Sequence, residues 1–175
     1  MNHKSKIKAF FEIAHILNVR FNVTPLLYGS LGLEYITGKD LCADDIDILI
    51  PKAYIEEKWS EFKEYFEDLD YVLVDEHEHT FEKDNISYSF AKLEELSSFA
   101  GIILSEIDSV SIEEVSFMIL DLEQYYSVYN SSIKDGYRIN VKEKNDSEKL
   151  ALIRSLLSGD KEYPIDNPEF VRREK

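Results

Sequence analysis

The chain has 175 residues, 44% of them apolar and 13% aromatic, and sets 35 acidic against 20 basic residues for a formal charge of −15. That length and apolar content specify one domain, with at most a small helical subdomain, and exclude a largely disordered chain or one that needs disulfide staples. Such a charge repels polyphosphate, and the nearest thing to a basic tract, Arg172-Arg173-Glu174-Lys175, is short and mixed, so a small molecule is preferred to a nucleic-acid polymer as partner. Cys42 is the single cysteine, which rules out an internal disulfide, and no apolar window approaches bilayer length. The expectation is a cytoplasmic protein with no membrane partner.

Ile7, Phe10, Phe11, Ala14 and Leu17 recur at helical spacing and predict an amphipathic helix over 4–18. His15 lies beside that stripe and reads as a packed or half-exposed histidine rather than a ligand. After Thr24-Pro25 comes a short apolar strand, Leu26-Leu27-Tyr28, which turns through Gly29-Ser30 into a helix over 30–37 that closes at Gly38. Gly29 lets the backbone bend and approach a ligand, and the free N–H groups of the helix that Ser30 opens suit a phosphate. Gly32 is read either as a point of close approach for a substrate or strand, or as simple loop variation.

Fourteen residues, 31–44, then lead to a second strand with the sequence Asp45-Ile46-Asp47-Ile48-Leu49-Ile50, stopped by Pro51. Alternation puts Asp45 and Asp47 on one face, roughly 6.6 Å apart along the strand, with Ile46 and Ile48 facing a core. Carboxylates so placed can share one or two hard cations. Asp44, in the loop before them, reads either as a carboxylate that supports the pair from behind or, in preference, as solvated.

Ile55, Trp59, Phe62 and Phe66 predict a helix over 52–68 with a charged outer face. Three strands follow over 71–74, 79–83 and 86–90, the last two joined through Asp84-Asn85 as a tight hairpin, for a mixed sheet with helices on one side. His77 and His79 flank Glu78 at strand-like spacing but lack a third ligand at a zinc-like spacing, so a wet loop is the reading. A helix over 93–99 ends at Gly101, and Ser116 to Leu120 forms a short strand or buried segment. Asp121 and Gln124 have capping-box spacing. Leu122, Tyr125, Tyr126 and Tyr129 share a helix face that is read as core in preference to a stacking surface. A last helix starts at Asp146, buries Leu150, Ile153, Leu156 and Leu157, carries Lys149 and Arg154, and stops at Gly159. The fold class is α+β, a mixed β-sheet flanked by helices with a C-terminal helical extension. It divides into a core over 1–105, a mainly helical part over 106–160 packed on it, and a loose tail over 161–175.

Tyr28-Gly29-Ser30 followed by Asp45-Ile46-Asp47-Ile48 resembles the nucleotidyltransferase superfamily typified by DNA polymerase beta. The likeness is greatest to its small bacterial members related to aminoglycoside and lincosamide nucleotidyltransferases and to nucleotidyltransferase-like toxins. The spacer is slightly long for that pattern, and the likeness covers roughly residues 20–100. The resemblance implies a nucleotidyltransferase-like fold and metal-dependent transfer of a nucleotidyl group from a nucleoside triphosphate to a hydroxyl of a small molecule or protein. It implies Asp45 and Asp47 as catalytic residues holding Mg²⁺ or Mn²⁺, and Gly29, Ser30 and Lys149 as nucleotide-binding residues. An acidic pocket would suit a cationic acceptor.

Family members add a third carboxylate on a later strand, and Ser89 stands there, with Glu82, Asp84, Asp75, Glu76 and Glu78 as substitutes if the register differs. Ser89 cannot ionise, which gives the second reading: a nucleotidyltransferase fold that binds nucleotide or a partner protein without catalysis, of toxin–antitoxin or regulatory type.

Overall fold

Leu26–Leu27, strand β1, is only two residues long, and both side chains are fully buried. It pairs antiparallel with β2 (Ile46–Ile50), Leu26 opposite Leu49 and Leu27 opposite Ile48, and parallel with β7 (Val115–Ile119). Beyond β2 lie β5 (Ile86–Lys92), β4 (Thr80–Lys83) and β3 (Val72–Asp75), and beyond β7 lies β6 (Asp108–Ile112). The result is one mixed seven-stranded sheet in the order β3-β4-β5-β2-β1-β7-β6. This computed structural model describes residues 3–134 and 143–159; the predicted tail over 161–175 lies outside the described residues.

Six helices pack around the sheet: α1 (His3–Phe21), α2 (Gly29–Thr37), α3 (Trp59–Glu67), α4 (Glu95–Ala100), α5 (Leu122–Lys134) and α6 (Glu143–Leu157). They cover both faces of the sheet, not one as expected. Ile46, Ile48, Ile50, Phe81, Tyr88, Phe90 and Phe117 join Phe10 and Ile13 of α1 and Phe62 and Phe66 of α3 in one apolar cluster. Leu26 and Leu49 point the other way and meet Leu96 of α4, Tyr125 and Val128 of α5, and Leu150 and Ile153 of α6. Each fully buried side chain of this kind contributes roughly 1.5–3 kcal/mol. α2 serves both sides, with Leu31 and Tyr35 in the first cluster and Leu33 in the second.

Local chemistry explains three of the element ends. Gly38 takes a left-handed conformation (φ 64°) and its N–H closes α2 on the Glu34 carbonyl at 2.8 Å. Asp84 and Asn85 both have positive φ, 52° and 60°, as the two-residue turn between β4 and β5 requires. Asp121 and Gln124 form a reciprocal capping box, each side chain accepting from the other's backbone N–H at 2.8 and 3.0 Å.

Two expectations fail here. Residues 52–68 do not form one helix: a 3-10 turn, Lys52–Tyr54, is followed by irregular turns before α3 begins at Trp59, though Ile55, Trp59, Phe62 and Phe66 all reach the core as their spacing requires. The part beyond residue 105 is not mainly helical from its start. β6 and β7 form a hairpin whose turn carries Glu113 at φ 52° rather than a glycine or asparagine, and it extends the sheet beside β1.

Candidate active site

β1 delivers the chain to Tyr28, whose backbone N–H donates to the Asp47 carbonyl at 2.9 Å, and the chain then bends through Gly29 at φ 64° into α2. No side chain of Tyr28 caps that helix. A Cβ placed on Gly29 would lie 1.9 Å from Oδ2 of Asp47 and 2.8 Å from its Cγ. The Asp47 carboxylate therefore rests directly on the Gly29 backbone, and only glycine admits both the bend and that contact. Asp45, just before β2, and Asp47 are each partly exposed, whereas Ile46 and Ile48 are fully buried on the opposite face. The two acids and the Gly29-Ser30 turn thus come to one end of the sheet.

The C-terminal helices complete the cluster. Lys149 of α6 donates from Nζ to Ser30 Oγ at 2.6 Å, lies 5.5 Å from the centre of the Tyr129 ring, and has its ammonium 3.9 Å from Oδ1 of Asp146. Burial pushes the Tyr129 and Tyr125 hydroxyls well above the usual phenol range, and the nearby Tyr28 and Asp47 add to the effect. Both rings belong to the core, as their spacing suggests. Gly32 does mark a close approach, but to Tyr125: an added Cβ would meet its hydroxyl at 2.1 Å and the Leu27 carbonyl at 2.7 Å.

On the other side of β2 from β1, β5 runs parallel to it with Asp47 paired to Ser89, and β4 brings Thr80 opposite Ser89. Their hydroxyls bond to each other at 2.9 Å. The row beside Asp47 therefore reads Asp, Ser, Thr. The substitute acids are engaged elsewhere. Glu82 pairs with Ser87 on β4, two strands from β2 and so about 10 Å away at the backbone. Asp75 accepts from the His77 and Glu78 N–H groups, Glu76 from Trp59 and Lys63, and Asp84 lies in the hairpin turn. His79 packs edge-on against Trp59 at 4.4 Å. Among the described residues, no group of three His, Cys, Asp or Glu side chains is placed to hold a metal ion.

Five supporting residues, Glu34, Lys6, Asn18, Ser132 and Asp146, have roles that the sequence does not announce. Buried Glu34 accepts the N–H groups of Leu41 and Ala43, both at 2.9 Å, and so shapes the loop that delivers Asp44 and Asp45; Lys6 donates to the Ala43 carbonyl in the same loop. Asn18 of α1 donates to the Val23 and Ser116 carbonyls at 2.8 and 2.9 Å and accepts the Ser116 N–H at 2.8 Å, tying β7 to the approach to β1. Ser132 and Asp146, both buried, are bonded at 2.6 Å. Asp146 does not start the last helix as expected: α6 begins at Glu143 and Asp146 faces inward. No local signal identifies Lys6 or Asn18, whose partners Ala43 and Ser116 lie 37 and 98 residues off in the chain. Asp146 looked like a cap because an acid before an apolar stripe has that appearance.

Across nearly its whole length, the uncharacterized protein YnaI of Bacillus subtilis (strain 168) aligns with this chain: 36% identity over 148 residues, 85% of this chain and 95% of YnaI. The chain belongs to the YnaI family. No family model matches it. Among solved structures, this YnaI-family chain is similar to an antigenic nucleotidyltransferase-like protein from Paracoccidioides brasiliensis, with a TM-score of 0.59 and 12% identity, covering 87% of this chain and 77% of that one. At that identity the likeness shows the fold. The YnaI-family chain has a nucleotidyltransferase-like fold, on which Gly29, Ser30, Asp45, Asp47 and Lys149 lie at one end of the central strands.

Proposed function

We propose that the protein binds a nucleoside triphosphate at the Gly29-Ser30 turn and moves its nucleotidyl group to a hydroxyl of a small molecule or protein. The observation that carries this reading is the convergence of Asp47, Gly29, Ser30 and Lys149 from three distant parts of the chain. The turn offers backbone N–H groups at the uncapped start of α2, and Lys149 offers an ammonium, both complementary to phosphate oxygens. Asp45 and Asp47 supply hard oxygen donors but no closed cage. That suits Mg²⁺, which keeps much of its water and is typically held by one or two carboxylates together with substrate phosphates. The ion, when bound, would neutralise charge on the reacting phosphate. In the transfer, the acceptor hydroxyl oxygen forms a bond to the α-phosphorus and gives up its proton to solvent as the bond to the leaving pyrophosphate breaks. The chain's part is to hold the triphosphate on the turn and orient the acceptor over the Asp47–Ser89 row.

The aminoglycoside- and toxin-type members remain the models for the acceptor, and the acidic surroundings favour a cationic one. Titration with Mg²⁺ and ATP, followed by amide NMR, is expected to perturb Gly29, Ser30, Asp45 and Asp47 first; silence at all four removes the proposal. Asp47→Asn is expected to weaken binding about 10-fold or more, as loss of a charged partner does.

One observation favours a second reading. Ser89 and Thr80 occupy the row beside Asp47 with hydroxyls alone, and a general base contributes about 10²–10⁴-fold to rate. A chain that binds Mg·ATP with its site intact yet transfers no label to any acceptor would serve as a nucleotide-binding or protein-interaction module. Ser89→Asp separates the two: a gain of transfer on restoring the acid identifies a site that had lost its base.

A further inference from the structure

Three rungs link α5 to α6: Ser132 with Asp146, Tyr129 with Lys149, and Tyr126 with Arg154. The first two end on the turn after β1. Ser132 Oγ donates to Oδ2 of Asp146 at 2.6 Å, Oδ1 of Asp146 lies 3.9 Å from Lys149 Nζ, and that ammonium donates to Ser30 Oγ at 2.6 Å. Asp146 is 7% exposed and Ser132 2%. The Lys149 side chain, normally a flexible stem in water, is only 15% exposed.

A carboxylate taken this far out of water is unfavourable unless it is both paired and hydrogen-bonded. Asp146 has both, one oxygen for each task, and its neighbours Leu150 and Ile153 show that the same helix face could have been filled with apolar residues. What the carboxylate adds over an apolar residue is direction: it fixes where the ammonium of Lys149 stands. We propose that Asp146, oriented by Ser132, is a positioning residue that holds the Lys149 ammonium at the Ser30 turn, so that the cation is in place before an anionic ligand arrives. Pre-placing a flexible lysine removes the ordering cost from the binding step. The identity of that ligand rests on the nucleotide reading above; the Ser132–Asp146–Lys149–Ser30 chain does not.

The test labels the folded full-length protein with an amine-reactive reagent and follows the Lys149 peptide by mass spectrometry. Wild type, Asp146→Asn, Asp146→Glu and Ser132→Ala are compared, each with and without Mg·ATP. Asp146→Asn is expected to speed Lys149 labelling about 3- to 10-fold, the factor that loss of one ion pair gives, with Lys63 and Lys92 unchanged as internal controls. Asp146→Glu restores part of the slow rate, and Ser132→Ala falls between. Mg·ATP protects Lys149 in the wild type and binds more weakly to Asp146→Asn by a similar factor. An unchanged Lys149 rate in Asp146→Asn overturns the proposal, and so does a rate that rises equally at all three lysines, which marks Asp146 as merely structural. Selective acceleration with no protection or binding by Mg·ATP in any form keeps the linkage and removes the nucleotide reading.

Discussion

Single atoms decide much at the Gly29 turn. A methyl group there would overlap the Asp47 carboxylate at 1.9 Å and would have to sit at φ 64°, which side chains rarely adopt. Gly29→Ala is expected to cost about 1–3 kcal/mol in chemical denaturation and to abolish Mg·ATP perturbation of Ser30, because the acid must leave its place. Asn18 uses both ends of its amide on three backbone groups, so Asn18→Ala is expected to lower stability by about 2–4 kcal/mol, read as a lower melting temperature. These two residues show what the sequence makes visible. Gly29, Ser30, Asp45 and Asp47 were legible because a bend, a helix start and an alternating strand are local in the chain. Asn18 was not, because its worth depends on Ser116, which only the folded sheet brings near.

The loop before β2 is held by a side chain as well as by its flanking strand. The buried Glu34 carboxylate binds two N–H groups of the loop before β2, and Glu34→Ala leaves them without that acceptor. Hydrogen exchange at Leu41 and Ala43 is expected to accelerate by about 10-fold or more in that variant, with β2 amides slower to respond. Gly32→Ala tests the seam between α2 and α5. The added methyl meets the Tyr125 hydroxyl and, less forgivingly, the Leu27 carbonyl, and a cost of about 1–3 kcal/mol is expected on thermal melting. Elements with strong apolar periodicity, such as α1 and β2, could be read from sequence. β6 is not legible in the sequence because its turn lacks the usual residues and its burial is partial, and 52–68 has the pattern of one helix because its apolar spacing continues through the 3-10 turn.

Among the described residues, Tyr71, Tyr88, Tyr125 and Tyr129 are buried tyrosines whose ionisation folding opposes. Burial raises Tyr71 to about 12 and also pushes Tyr88, Tyr125 and Tyr129 upward. Folded chains therefore hold phenolic protons that unfolded chains release near pH 10, so stability is intact below that pH and falls as pH climbs from 10 through 12. Alkaline titration is expected to show phenolate absorbance appearing together with loss of near-ultraviolet circular dichroism. No helix among the described residues is long and apolar enough to cross a membrane. The two-residue strand β1 carries a last consequence. Its parallel neighbour β7 is made some 90 residues later, and Tyr125 must slide under Gly32 before the turn has a floor. During synthesis, then, the end of the sheet that carries Gly29, Ser30 and Asp47 stays unfinished until α6 has left the ribosome, and on the nucleotide reading proposed above a chain cut at residue 105 is expected to give no Mg·ATP perturbation however well its first helices form.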